Sequence, residues 1–176
     1  MRLRHSTVAI TVAVLLTAGC GTDTPDKPTS SPQEPSTTQS APAPAPAEPL
    51  TAKQVLDKLT AAKVGLTSGA VQNEDTDPND LLGRPNGYTS RASADLPGGD
   101  RQADKYGIDR GLVVEVFTAV EDVERRSKYI QDSLKSMPIL GTEYHYRADQ
   151  GRVLVRVSGK VKPTQAKKIE AAATGM

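Results

Sequence analysis

At 176 residues, with 22 Lys and Arg against 21 Asp and Glu, the chain has a net charge of +1 and a single cysteine. Near-neutrality excludes a basic field for nucleic acid and a polybasic stripe for anionic lipid, and one cysteine excludes an internal disulfide. With no Trp and only Phe117 as Phe, the core is left to Val, Leu, Ile and Ala.

The chain opens on Arg2, Arg4 and His5, then runs without charge over residues 6–19. A cationic start, a short apolar run and small residues at its end describe a secretory signal peptide over residues 1–19. The apolar run is shorter than the roughly 17–25 residues that a spanning helix needs. Residues 20–49 follow as a tether of Pro, Ser, Thr and Ala that ends in Ala41-Pro42-Ala43-Pro44-Ala45-Pro46. Residues 21–49 contain no Leu, Ile, Val or aromatic side chain, so apolar burial cannot offset the entropy of ordering them. Disorder is expected there, with the Ala-Pro part stiffened toward polyproline II.

A folded domain is expected over residues 50–176. Thr51 with Gln54 makes a capping box, and Val55, Leu56, Leu59, Ala62 and Leu66 fall on one face of a first helix. Residues 70–72 suggest the start of a short strand. Residues 73–87 are rich in turn formers. Over residues 88–96 side chains alternate, with Tyr88, Ser90, Ala92, Ala94 and Leu96 on one side, which predicts a half-buried strand. A polar loop over residues 97–110 leads to residues 112–117, apolar and β-branched enough for a central strand. Thr118-Ala119-Val120-Glu121 predicts a second capping box, and Val120, Val123, Ile130, Leu134 and Met137 the stripe of a second helix ended by Pro138. Residues 143–147 and 152–158 form a hairpin around Asp149-Gln150-Gly151, with Leu154 the one apolar residue off the valine side. Pro163 opens a last helix with Ala166, Ile169 and Ala173 inside. The order α-β-β-α-β-β-α predicts a two-layer α+β fold, an antiparallel sheet of about four strands with helices on one face.

Leu16-Thr17-Ala18-Gly19-Cys20 resembles the bacterial lipobox. That resemblance implies a diacylglyceryl group on the Cys20 thiol and cleavage between Gly19 and Cys20. Thr17 stands where the family prefers Leu, Val or Ile, with Leu16 one place further back. The partner so implied is the membrane, on its extracytoplasmic face, and two acyl chains suffice for stable anchoring. The loop Leu81-Leu82-Gly83-Arg84-Pro85-Asn86-Gly87-Tyr88 and the strand segment Val114-Glu115-Val116-Phe117 resemble segments of uncharacterised small lipoproteins of high-GC Gram-positive bacteria, a likeness spanning most of residues 51–172. It implies no activity. The element order also resembles small periplasmic interaction modules such as β-lactamase-inhibitor-like domains, which is fold-level analogy and carries no function.

Chemistry is sparse. His145 is the only histidine beyond the leader, and no Gly-x-Ser-x-Gly turn, His-Glu-x-x-His or phosphate loop occurs. No catalytic residue, metal or cofactor is assigned. Asp75, Asp77 and Asn79 match the first ligand places of a calcium loop, but Asp80 stands where Gly is required and Asn86 where Glu is, so a turn is the expected role. Arg84, Tyr88, Tyr144, His145 and Tyr146 are the candidates for a recognition surface. The expected function is a non-catalytic, lipid-anchored domain binding a protein or envelope partner. The alternatives are a small-ligand-binding lipoprotein and a carboxylate-based envelope enzyme, for which Asp95, Glu115 or Asp109 would have to serve.

Overall fold

The computed structural model describes residues 48–176; the leader, Gly19, Cys20 and most of the tether lie outside the described residues. Its helices are α1 (Ala52–Ala61), α2 (Val120–Ser136) and α3 (Pro163–Thr174). Its strands are β1 (Ser68–Gln72), β2 (Ser90–Asp95), β3 (Gly111–Val116), β4 (Glu143–Ala148) and β5 (Val153–Ser158). The α+β fold with an antiparallel sheet is as the sequence predicts. The sheet has five strands, in the order β1-β2-β3-β5-β4.

Local chemistry explains the elements the sequence announces. The Thr51 side chain accepts from the Gln54 N–H and the Gln54 side chain answers on the Thr51 N–H, so α1 starts as a capping box. Pro163 stands in the first turn of α3, where its missing N–H costs nothing. Gly151 closes the β4–β5 turn at φ +88°, a conformation that disfavours a side chain. At α2 the capping box is absent: Ala119 is the N-cap and no side chain caps the first turn. Glu121 and Asp122 there still favour the helix dipole.

The helices divide between the two faces of the sheet, where one face was expected. α1 and α3 cover the valine face. Val55, Leu56 and Leu59 of α1 and Ala166, Ile169 and Ala173 of α3 pack with Ala92, Ala94, Leu112, Val114, Val153, Val155 and Val157 in the main core. α2 lies on the opposite face, where Val123 joins Leu154, Phe117 and Tyr88 in a second cluster. The off-side Leu154 is therefore the seat of α2. Tyr88 belongs to this cluster and not with Ala92, because pairing is irregular at Thr89, whose N–H donates to the Val116 carbonyl. β2 is accordingly buried on both sides, Arg91 and Ser93 included.

Candidate functional site

The α2 face of the sheet is built from charged side chains. Strand register sets them in one layer: Arg91 opposite Glu115, Val113 opposite Arg156, and His145 opposite Arg156. Opposed residues share a face of a sheet, so these groups converge under α2. Arg156 donates Nη1 to Glu115 Oε1 at 2.9 Å, and Nε and Nη2 to the two oxygens of Glu143 at 2.8 Å each. Arg126 of α2 donates Nε and Nη2 to Glu115, both at 3.1 Å. His145 Nε2 lies 3.0 Å from Glu143 Oε2, and His145 Nδ1 lies 2.7 Å from Ser127 Oγ. The contacts run Arg126–Glu115–Arg156–Glu143–His145–Ser127. They begin and end on adjacent residues of α2, so they form a ring that fastens the helix to β3, β5 and β4.

Electrostatics follow from that ring. Burial pushes the Glu143 carboxyl up, but hydrogen bonds from His145 and Arg156 and their charge outweigh it and hold its pKa at about 2. Glu115 is fully buried, yet the Arg156 charge and the Arg126 bond keep it below the ordinary carboxylate range. Glu143 is therefore an acceptor, His145 Nε2–H donates to it, and in the neutral ring Nδ1 accepts from Ser127. A carboxyl lowered by folding binds more protons unfolded, so it stabilises the fold above its unfolded pKa and loses that contribution as pH falls through the folded one. For Glu143 the window runs from 4.5 down to about 2. Glu143→Gln should flatten the fall of the urea midpoint across that window, and an unchanged slope would show that the ring does not hold this carboxylate.

A second polar cluster adjoins the ring. Tyr88 Oη donates to the Asp77 carboxylate, with the oxygens at 2.5 and 2.7 Å, and Asp77 Oδ2 accepts from the Leu81 and Leu82 N–H groups at 2.8 and 3.0 Å. Burial raises the Asp77 pKa, and the bonds from Tyr88, Leu81, Asn79 and Leu82 bring it below normal. Arg91 Nε approaches Asp77 at 3.5 Å, while its other nitrogens donate to Gln72 and to the Tyr106 carbonyl. Asp77 thus knots the loop after β1 onto the sheet. The acidic segment acts as the turn expected of it, with Asp77 turned inward onto donors.

Between the flank of α2 and the loops at 77–86 and 100–109 runs a groove. Two hollows of about 720 and about 540 Å³ share Asn79, Arg126 and Tyr129. Asp100, Asp104 and Asp109 stand on one wall, Arg126, Arg156 and Glu143 on the floor. Tyr129, Met137 and Leu140 form an apolar rim, and Ile139 beside them is 92% exposed.

The five recognition candidates do not share a surface. Tyr88 is fully buried. Arg84 is exposed and pairs with Asp80. Tyr144 and Tyr146 stack at 6.5 Å and pack against the core on the α3 side, where burial, then Glu170 and Tyr144, push the Tyr146 hydroxyl up to about 12. His145 points the opposite way, into the ring, because neighbours in a strand alternate faces. Strand alternation alone could have separated His145 from its flanking tyrosines. The carboxylates weighed for an enzyme are also apart: Asp95 is held by Arg110, Asp109 by Lys160, and Glu115 by two arginines.

Sequence reasoning missed Arg126, Ser127, Glu143 and Arg156. Ser127, His145 and Glu143 reproduce the bonding order of a serine–histidine–carboxylate set. The surroundings differ from a hydrolytic site. Ser127 sits in mid-helix, where backbone N–H groups are committed to the helix and cannot receive an oxyanion. Glu143 is already claimed twice by Arg156. Neither Ser127 nor His145 lines the groove. A fluorophosphonate probe should leave Ser127 unlabelled on intact-protein mass spectrometry; stoichiometric labelling would make the set an active site.

Among the described residues no helix is long and apolar enough to cross a membrane, and no group of His, Cys, Asp and Glu is arranged to hold a metal ion. Comparison with protein-family models, curated proteins and solved structures finds no match.

Proposed function

We propose that this chain is a lipid-anchored extracytoplasmic domain that docks a protein or envelope partner, without catalysis, through the groove beside α2. The anchor is Cys20 and the spacer is the Pro-rich tether. The observation that carries the docking role is the distribution of exposed apolar side chains. Of the five large exposed hydrophobics among the described residues, Tyr129, Met137, Ile139 and Leu140 gather at the C-terminal half of α2 and the turn after it, beside the groove. Contiguous exposed apolar surface beside a polar wall is the signature of an interaction site.

The Leu50 N–H donates to Asp149 at the β4–β5 turn, so the tether enters there. The apolar rim lies next to the start of β4, at the opposite end of a six-residue strand, about 20 Å away. The groove has the volume of a small-ligand site. Its floor charges Arg126, Arg156 and Glu143 are matched within the ring, which leaves the apolar rim as the groove's main contact surface.

A photo-crosslinking residue at Leu140, in intact cells, should capture a discrete adduct. The same residue at Lys168 on the outer side of α3 should capture none. Equal or no capture at both positions would remove the groove as the docking face.

A further inference from the structure

We infer that the free edge of β1 accepts an added strand from a partner polypeptide, one that alternates acidic and apolar side chains. The site lies apart from the groove, and its evidence is independent of it.

Among the described residues β1 pairs with β2 alone and ends the sheet. The direction of its backbone groups follows from the ladder. The Leu96 N–H donates to the Arg110 carbonyl, so even-numbered residues of β2 address β3 and odd ones address β1. Their register partners Ser68, Ala70 and Gln72 face β2, which turns the N–H and C=O of Gly69 and Val71 to the open edge. An edge strand is ordinarily protected by charge, proline, bulky cover or side-chain capping. The other edge of this sheet has such protection. β4 carries Glu143, His145 and Arg147, and the outward carbonyl of Glu143 accepts from the Gln131 side chain. β1 reads Ser-Gly-Ala-Val-Gln, without charge or proline, and Val71 is the fifth exposed large hydrophobic, at 52%.

The small side chains of β1 leave a hollow on each side of it, as alternating side chains of an added strand require. On the α1 side a hollow of about 350 Å³ has Leu56, Leu66 and Val71 in its lining, and the two charges there, Lys53 and Asp57, pair with each other at 2.8 Å. On the other side a hollow of about 320 Å³ is lined by Lys105, Tyr106, Arg110 and Asp95. Arg110 and Asp95 neutralise each other. Lys105 forms no ion pair among the described residues and lies over the Tyr106 ring at 4.8 Å. One side therefore takes an apolar group and the other a carboxylate. A second copy fits less well, because antiparallel β1–β1 pairing brings both Lys105 side chains to the same side of the seam.

The test uses the full mature chain in detergent and a fluorescent octapeptide alternating Glu and Val. Saturable binding is expected, weakened at least about tenfold by Lys105→Glu or by replacing the peptide's Glu with Lys. N-methylation of the peptide at alternate residues should abolish binding in one phase of the alternation and spare it in the other, and this leaves the protein untouched. Val71→Pro should block binding while the Leu140 crosslink persists. No saturation up to about 1 mM, or equal binding by both N-methylated peptides, would overturn strand addition. Dimerisation of the wild-type chain that Val71→Pro abolishes would replace the peptide with a second copy and overturn the assigned partner.

Discussion

Glu115→Ala should destabilise the domain by about 3–5 kcal/mol, the range for removing one partner of a buried ion pair. Glu115 is wholly buried and accepts from both Arg126 and Arg156. Its loss opens the ring at β3. Arg156 retains Glu143, but Arg126 retains no carboxylate of the ring, and the last strong tie on that side of α2 is gone. The urea midpoint should drop, and amide exchange in α2 should accelerate more than in α1 or α3. Replacing the charges together, as Glu115→Leu with Arg126→Met, should recover much of the loss, since apolar substitutes of similar size avoid the desolvation cost of the ions. A Glu115→Ala variant that loses less than about 1 kcal/mol would show that the Glu115 pairs do not hold α2, leaving that to Val123, Ile130 and the Ser127 and Gln131 bonds to β4.

Asp77→Ala should cost about 3 kcal/mol, because it strands buried donors as well as removing bonds. The Tyr88 hydroxyl and the Leu81 and Leu82 N–H groups lose their acceptor, and Arg91 loses its ion-pair partner among the described residues. Tyr88→Phe removes the bond to Asp77 and the one the hydroxyl accepts from Asn79 Nδ2 but leaves the Asp77 carboxylate in place, and should cost about 1–2 kcal/mol. The loop tied down by Asp77 supplies Asn79, Leu81 and Asn86 to the groove. Asp77→Ala should therefore also weaken Leu140 crosslinking at temperatures where the variant remains folded. Full crosslinking by a destabilised but folded variant would detach the loop from docking.

Much of the fold was legible because local chemistry and global packing agree. The Thr51–Gln54 box, the apolar 112–117 segment and Pro163 each state an element that the structure contains. β1 was seen only at its end, since Ser68-Gly69-Ala70 has neither β-branched residues nor alternation. The side taken by α2 was harder to see. Charged residues at Arg91, Glu115 and Arg156 suggest a solvated face of each strand. They are instead buried, because register lines up opposite charges on neighbouring strands and α2 closes over them. One clue was present: Glu115 is the only charge in an otherwise apolar central strand, and a charge buried there needs partners. The partners themselves come from residues 126, 143 and 156, and only pairing brings these together. The groove was illegible for the same reason, since its rim draws on a helix flank and its walls on separated loops.

In the function proposed above, service at the membrane surface depends on Cys20. The mature N-terminal peptide, isolated from the membrane fraction and weighed by mass spectrometry, should begin at Cys20 and carry a diacylglyceryl group on sulfur. The Cys20→Ser chain should leave that fraction. A free thiol on a mature chain recovered from the medium would contradict the anchored domain proposed here.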